Sequence, residues 1–143
     1  MAQNIIITGG SSGIGKGIAK YFYEKGWQVL ITGRNKVKLE QVAAEMPGIA
    51  VLQYDNLKDG DHLKIAEFVK TNWDGNLNIL VNNAGHVELG ELSTISQASM
   101  AAMYQSHAIS PSLLTSACLD FLAAEKGQIL NVTSSHGIKA YPL

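Results

Sequence analysis

Apolar runs and helical spacings alternate along this chain from its first residues. Residues 4–8, Asn-Ile-Ile-Ile-Thr, form a continuous β-branched run, the pattern of a strand buried on both faces of a parallel sheet. Behind a loop holding Gly9, Gly10, Gly13 and Gly15, the residues Ile14, Ile18 and Phe22 recur at helical spacing with Tyr21 beside them. Lys25-Gly26 stops that helix. Trp27–Thr32 is the second strand, with Trp27 a packing residue, and Asn35 to Glu45 is an amphipathic helix broken by Met46-Pro47-Gly48. Ile49–Gln53 is the third strand. Asp59 or Asp61 then opens a helix with Leu63, Ala66 and Val69 on one face, ending near Thr71. Trp73, in the polar loop that follows, has no assignable chemistry. Leu77–Val81 is the fourth strand, and a helical region runs from about Ser96 to Ala124, kinked or divided by Pro111. Gly127–Thr133 is the fifth strand.

Strands alternating with helices predict an α/β fold around a parallel sheet. In such a sheet the ligand crevice lies beyond the strand C-termini at a topological switch point. The Gly9–Gly15 and Asn82–Gly85 loops both fall there if the strand order is 3-2-1-4-5. Strand, glycine loop and helix N-terminus together make a site for a phosphate-bearing ligand: glycines allow close backbone approach, and the helix offers unpaired N–H groups. Gly10-Ser-Ser-Gly-Ile-Gly15-Lys16 matches the start of a P-loop, but position 17 is Gly where that motif needs a magnesium-holding Ser or Thr. The fourth strand also ends in Asn82-Asn83, where a P-loop enzyme needs a metal-binding Asp. No metal site is expected.

Composition narrows the classes. At 143 residues and 46% hydrophobic content the chain has the material for one packed domain. A net charge of −1 gives no basic face for nucleic acid or anionic membrane. No run approaches membrane-spanning length. One cysteine, Cys118, excludes an internal disulfide framework and suits a reducing compartment such as the cytoplasm. Its neighbours Leu114, Ala117, Phe121 and Leu122 make it a packing residue, with no His or Lys adjacent to activate the thiol.

The spacing Thr8-Gly9-x-x-x-Gly13-Ile14-Gly15 differs from the common G-x-G-x-x-G fingerprint and resembles the short-chain dehydrogenase/reductase family. Asn82-Asn83-Ala84-Gly85 and Ile129-Leu-Asn-Val-Thr-Ser134 match further family motifs in order, so the resemblance spans almost the whole chain. It implies a Rossmann-type doubly wound sheet of order 3-2-1-4-5. Residues 1–143 are then a single NAD(P)-binding domain, incomplete on its C-terminal side. It also implies that Thr8, Gly9, Ser11, Ser12, Gly13, Ile14 and Gly15 hold the cofactor pyrophosphate region, while Asn82, Ala84 and Gly85 line the groove. Asp55, by the same resemblance, contacts the adenine; alternatively it is a loop Asp that caps a turn. Gly33 stands where family members using NAD carry Asp, and Arg34 follows with Lys36 and Lys38 nearby. The missing acid and the present Arg favour NADP(H) over NAD(H), against a plain solvated helix start.

Two candidate catalytic residues come from register. Ser134 falls on the family's serine, which hydrogen-bonds the substrate oxygen. His107 falls on the family's relay Asn, a departure: His can donate or accept a proton near neutral pH, or be only a polar helix residue near a kink. The family's Tyr-x-x-x-Lys acid/base pair has no match; Tyr141, seven residues past Ser134 and without a following Lys, is a loop residue. The chain is therefore expected to be the N-terminal portion of a longer reductase acting on a small-molecule carbonyl or alcohol, homo-oligomeric in full-length form. The alternatives are an inactive NADP-binding regulator on the same fold and a truncated product without function.

Overall fold

Ile5, Ile6 and Ile7 are fully buried at the centre of a parallel sheet, and the two-residue period of the strand sends them to two different cores. The computed structural model describes residues 2–91 and 93–139. Its elements are β1 (Asn4–Thr8), α1 (Gly13–Glu24), β2 (Gln28–Gly33), α2 (Lys36–Glu45) and β3 (Ala50–Gln53), followed by α3 (Leu63–Asn72) and β4 (Ile79–Asn82). After these come α4 (Gln97–Tyr104), α5 (Ser110–Ala124) and β5 (Gln128–Asn131). The sheet order is β3-β2-β1-β4-β5, every pairing parallel, as the resemblance implies. Ile6 packs with Ile65, Val69, Leu114, Cys118 and Leu122 on the α3/α5 face. Ile5 and Ile7 pack with Ala19, Leu39 and Val42 on the α1/α2 face. Each such isoleucine contributes about 1.5–3 kcal/mol by leaving water, which is why the strand needs no polar residue between Asn4 and Thr8.

Several local expectations change. In α3 the buried residues are Ile65 and Val69, whereas Leu63 is 58% exposed. The helix also begins one residue later than an Asp61 cap would give, with His62 at its N-cap position. Trp73 is a core residue, edge-on to Phe68 at 5.2 Å between ring centroids. Ile14 and Tyr21 are exposed, leaving Ile18 and Phe22 to pack α1 against the sheet. Cys118 is fully buried and its thiol is pushed up to about 11 by that burial, in keeping with a packing role.

The long helical region is divided by a π turn over Gln105–Ile109, just before Pro111. Pro111 has no N–H to give the carbonyl four residues back, and its ring presses on that carbonyl. The wider turn at Gln105–Ile109 absorbs the mismatch and lets α5 restart with Pro111 in its first turn, where proline is tolerated. β5 is shorter than Gly127–Thr133 and lies at the sheet edge; among the described residues it pairs with β4 alone.

Candidate active site

Two loops at the C-terminal ends of β1 and β4 are joined through Thr8. Its Oγ1 accepts from the backbone N–H groups of Asn83 and Ala84, each at 3.0 Å, and lies 3.3 Å from the Val81 carbonyl as donor. Asn83, within the motif but not among the expected contacts, returns the connection: its Nδ2 donates to the carbonyls of Thr8 (2.9 Å) and Gly9 (3.2 Å). This satisfies backbone groups that the parallel ladder leaves free at its end.

The glycines follow from this closeness. Gly9 has φ +69°, and a Cβ there would stand 3.0 Å from the Ala84 Cα. A Cβ on Gly15 would meet Asn83 Nδ2 at 2.5 Å and overlap the Gly9 carbonyl, so α1 can approach the junction only through a bare backbone. Thr8, which also lines a neighbouring cavity, and Gly15 brace the loop from behind. Its ligand side is a groove of about 130 Å³ lined by Gly9, Ser11, Ser12, Gly33, Arg34, Tyr54, Asn56, Ala84 and Gly85. Gly13 opens α1 at φ +53°, and Ile14 is 66% exposed just beyond it. The Ser12 side chain makes no cap bond and no acid stands in the first turn of α1, so its leading N–H groups suit an anion. These residues fit a nucleotide phosphate.

At the end of β2 the groove meets Gly33 and Arg34. A Cβ on Gly33 would sit 3.2 Å from Ser11 Oγ. The Arg34 carbonyl accepts from Gln53 Nε2 at 2.8 Å, while its exposed guanidinium carries no ion pair among the described residues. Lys36 pairs with Glu40 at 3.8 Å, and Asn35 Oδ1 caps α2 through the N–H of Lys38.

Beyond β3, Asp55 caps its own turn: its Oδ1 accepts from the Leu57 N–H at 3.0 Å. Its flanking residues Tyr54 and Asn56 line the groove instead. Asp61 takes the Asp55 N–H on Oδ2 at 2.8 Å and Lys64 Nζ on Oδ1 at 2.5 Å. Burial pushes its carboxyl up, but the bonds from Lys64 and from the Asp55 backbone outweigh that and hold it below the ordinary Asp value. Burial raises Tyr54 to about 12, against a lowering hydrogen bond with Ser110, so it is a neutral phenol at physiological pH.

A second, polar cavity of about 90 Å³ adjoins the groove, reaching from Tyr54, Asn56 and Ala84 to Asn82, Ser106, His107, Ser110, Asn131 and Thr133. Asn82 Nδ2 donates to Asn131 Oδ1 (2.9 Å) and Thr115 Oγ1 (3.2 Å), tying β4 to β5 and α5. Its Oδ1 is buried with no partner among the described residues, leaving an acceptor in this region. His107, on the π turn, lies against Gly85, where a Cβ would come within 2.9 Å of its Cε1. Its Nε2 donates to the His86 carbonyl at 2.8 Å, which fixes the ring over the groove-lining loop.

Ser134 does not line the cavity; Thr133 does. Its hydroxyl caps the 3-10 turn Ser135–Gly137, accepting from the His136 N–H at 3.2 Å and standing 3.1 Å from His136 Nδ1. Tyr141 lies outside the described residues. Sequence reasoning missed Tyr54, Asn56, Ser106, Ser110 and Thr133. Thr133 stands inside the Ile129–Ser134 motif, one residue before the candidate serine; the other four belong to no glycine or amide motif, and their signal was polarity within otherwise packed segments.

A parallel sheet of order 3-2-1-4-5 with a glycine loop and an open helix N-terminus at its switch point defines a Rossmann-type fold. The sequence model described as short chain dehydrogenase matches residues 3–143, and the chain belongs to that family. It is 29% identical over 140 residues to an uncharacterized oxidoreductase of Bacillus subtilis, covering 96% of this chain and 53% of that protein. It is 30% identical over 135 residues to an L-fucose dehydrogenase of Bos taurus, covering 93% and 49%. A solved short-chain dehydrogenase from Streptomyces avermitilis superposes with a TM-score of 0.90 at 26% identity, covering 98% of this chain and 52% of that one. The chain spans about half the length of the curated relatives it matches.

Proposed function

We propose that this chain is the dinucleotide-binding portion of an NADP(H)-dependent oxidoreductase that interconverts a small-molecule carbonyl and alcohol. The observation that carries this reading is the groove itself. It has bare glycine backbone and the uncapped start of α1 at one end, Gly33-Arg34 with no acid at the β2 corner, and Tyr54 and Asn56 along its side. Bound there, the nicotinamide cofactor would supply or accept hydride. The chain's own residues bind and orient: α1 takes the pyrophosphate, Arg34 the 2′-phosphate as a planar charged fork, and Ala84 and Gly85 flank the ligand. Ser134, following the family register, serves the substrate oxygen, and His107 hydrogen-bonds near the reacting end. The working protein is cytoplasmic and homo-oligomeric in this reading.

Titration with NADPH and NADH tests it. A charge-assisted contact contributes ~1.5–3 kcal/mol, about 10- to 150-fold in affinity. NADPH should bind tighter by a factor in that range, and Gly33→Asp/Arg34→Leu should shift preference toward NADH. Ser11 must rotate to admit the new Asp, since its Oγ lies 3.2 Å from the added Cβ. Equal affinities in the parent overturn the cofactor assignment. Over a panel of aldehydes and ketones we expect no NADPH oxidation by the 143-residue chain, because it carries no Tyr-x-x-x-Lys match and general acid catalysis alone is worth ~10²–10⁴ in rate. Binding without turnover, persisting after that pair is supplied, would favour the regulator reading, to which the engagement of Ser134 in a turn already gives support.

A further inference from the structure

The loop after β3 and the π turn that carries His107 are joined by hydrogen bonds that dinucleotide binding does not itself require. Asn56 makes both: its Nδ2 donates to Ser106 Oγ at 2.7 Å, and its carbonyl accepts from Ser110 Oγ. Gln105 Nε2 adds a donor to Ser110 Oγ at 2.9 Å. Asn56, Ser106 and Ser110 are 7%, 1% and 4% exposed, so losing one of these bonds leaves nearly buried polar groups without their protein partner. The two serines bracket His107 in sequence, one residue before it and three after. Asn56 meanwhile lines the groove on one side and the polar cavity on the other.

A π turn is an irregularity of the kind often found at functional sites; Pro111 imposes it here, and the bonds from Asn56 fix how its side chains sit. A shift of this turn would carry His107 away from Gly85 and break its bond to the His86 carbonyl. We infer that Asn56 is a positioning residue that couples occupancy of the groove to the placement of the His107 ring through Ser106 and Ser110. The inference rests on the dinucleotide reading of the groove. The π turn touches the groove lining through Asn56 and Gly85, and coupling requires that it have two arrangements.

The test uses the 143-residue chain labelled at histidine, with NADPH as the probe, following the His107 Cε1–H resonance assigned by its loss in His107→Asn. In the parent that resonance moves on NADPH addition. In Asn56→Ala and Ser106→Ala its ligand-free position changes, the NADPH-induced movement disappears, and NADPH binds about fivefold more weakly, the loss expected for one buried hydrogen bond. Ser106→Thr, which keeps the hydroxyl that accepts from Asn56 Nδ2, restores the parental response. Amide exchange accelerates over residues 105–110 in both alanine variants and stays unchanged in β1, which separates repositioning from unfolding. Ser106→Ala removes a single hydroxyl and carries the comparison if Asn56→Ala does not fold. NADPH binding with a static His107 resonance, or with the same movement in parent and alanine variants, overturns the coupling alone. No NADPH binding in the parent overturns the dinucleotide reading and the coupling with it.

Discussion

The two sides of β4 are built by different rules. Toward β1, Thr8, Asn83 and the bare backbone of Gly9 and Gly15 leave no slack: a single Cβ on Gly15 overlaps a neighbouring carbonyl. Toward β5 the sheet opens, with Ile129 and Leu130 42% and 50% exposed and α5 presenting Leu119 at 52%. The first side is a site in which position matters to a few tenths of an ångström. The second is an apolar edge held by four backbone register pairs and the Asn82–Asn131 amide contact. Sequence changes should therefore be read in opposite currencies on the two sides, as lost fold stability near β1 and as altered self-association near β5.

The sharpest way to break that contrast is Gly15→Val, which drives a branched side chain into the Gly9 carbonyl and Asn83 amide. We expect a loss of about 3 kcal/mol, the upper range for overpacking, read as a lower urea midpoint at unchanged slope. A parental midpoint would mean that the junction is looser than its geometry. Thr8→Val comes next, since it keeps the shape but leaves the Asn83 and Ala84 N–H groups without their acceptor. About 2 kcal/mol should be lost, together with weaker NADPH binding as the Ala84–Gly85 wall drifts. Smallest in stability is Ile129→Lys on the β5 edge, within about 0.5 kcal/mol of parent. Its effect belongs in light scattering: charge on an open strand edge disfavours pairing with another chain, so the parent should associate more than the variant. A stability loss as large as that of Thr8→Val would show that β5 is as tightly built as β1.

Much of this architecture was legible in residue order. The isoleucine run at residues 5–7 announced a doubly covered central strand, and the glycine spacing placed the loop at its end. Periodicity was weaker evidence where neighbours decide the outcome. Of the stripe Leu63, Ala66 and Val69, the last two pack on the core together with Ile65, while Leu63 at the helix start stays exposed. Pro111 signalled a disruption; that it resolves as a π turn, with Ser106 and Ser110 set against Asn56, appeared only in the structure. Asp55 caps its own turn through one carboxylate oxygen, a local bond that its place after a strand and before a helix already suggested.

The sequence by itself determined the alternation of elements and the glycine loop, since these depend on local pattern and short-range backbone sterics; the strand order it implied only through family resemblance. Tertiary structure alone decided the partners of polar side chains far apart in the chain. Asn83 reaches back to Thr8, Asn56 forward to Ser106, and His107 across to the His86 carbonyl. The physical reason is that a buried hydrogen bond is set by which donor and acceptor the packed layers bring within about 3 Å, and no periodicity in a one-dimensional sequence encodes that distance.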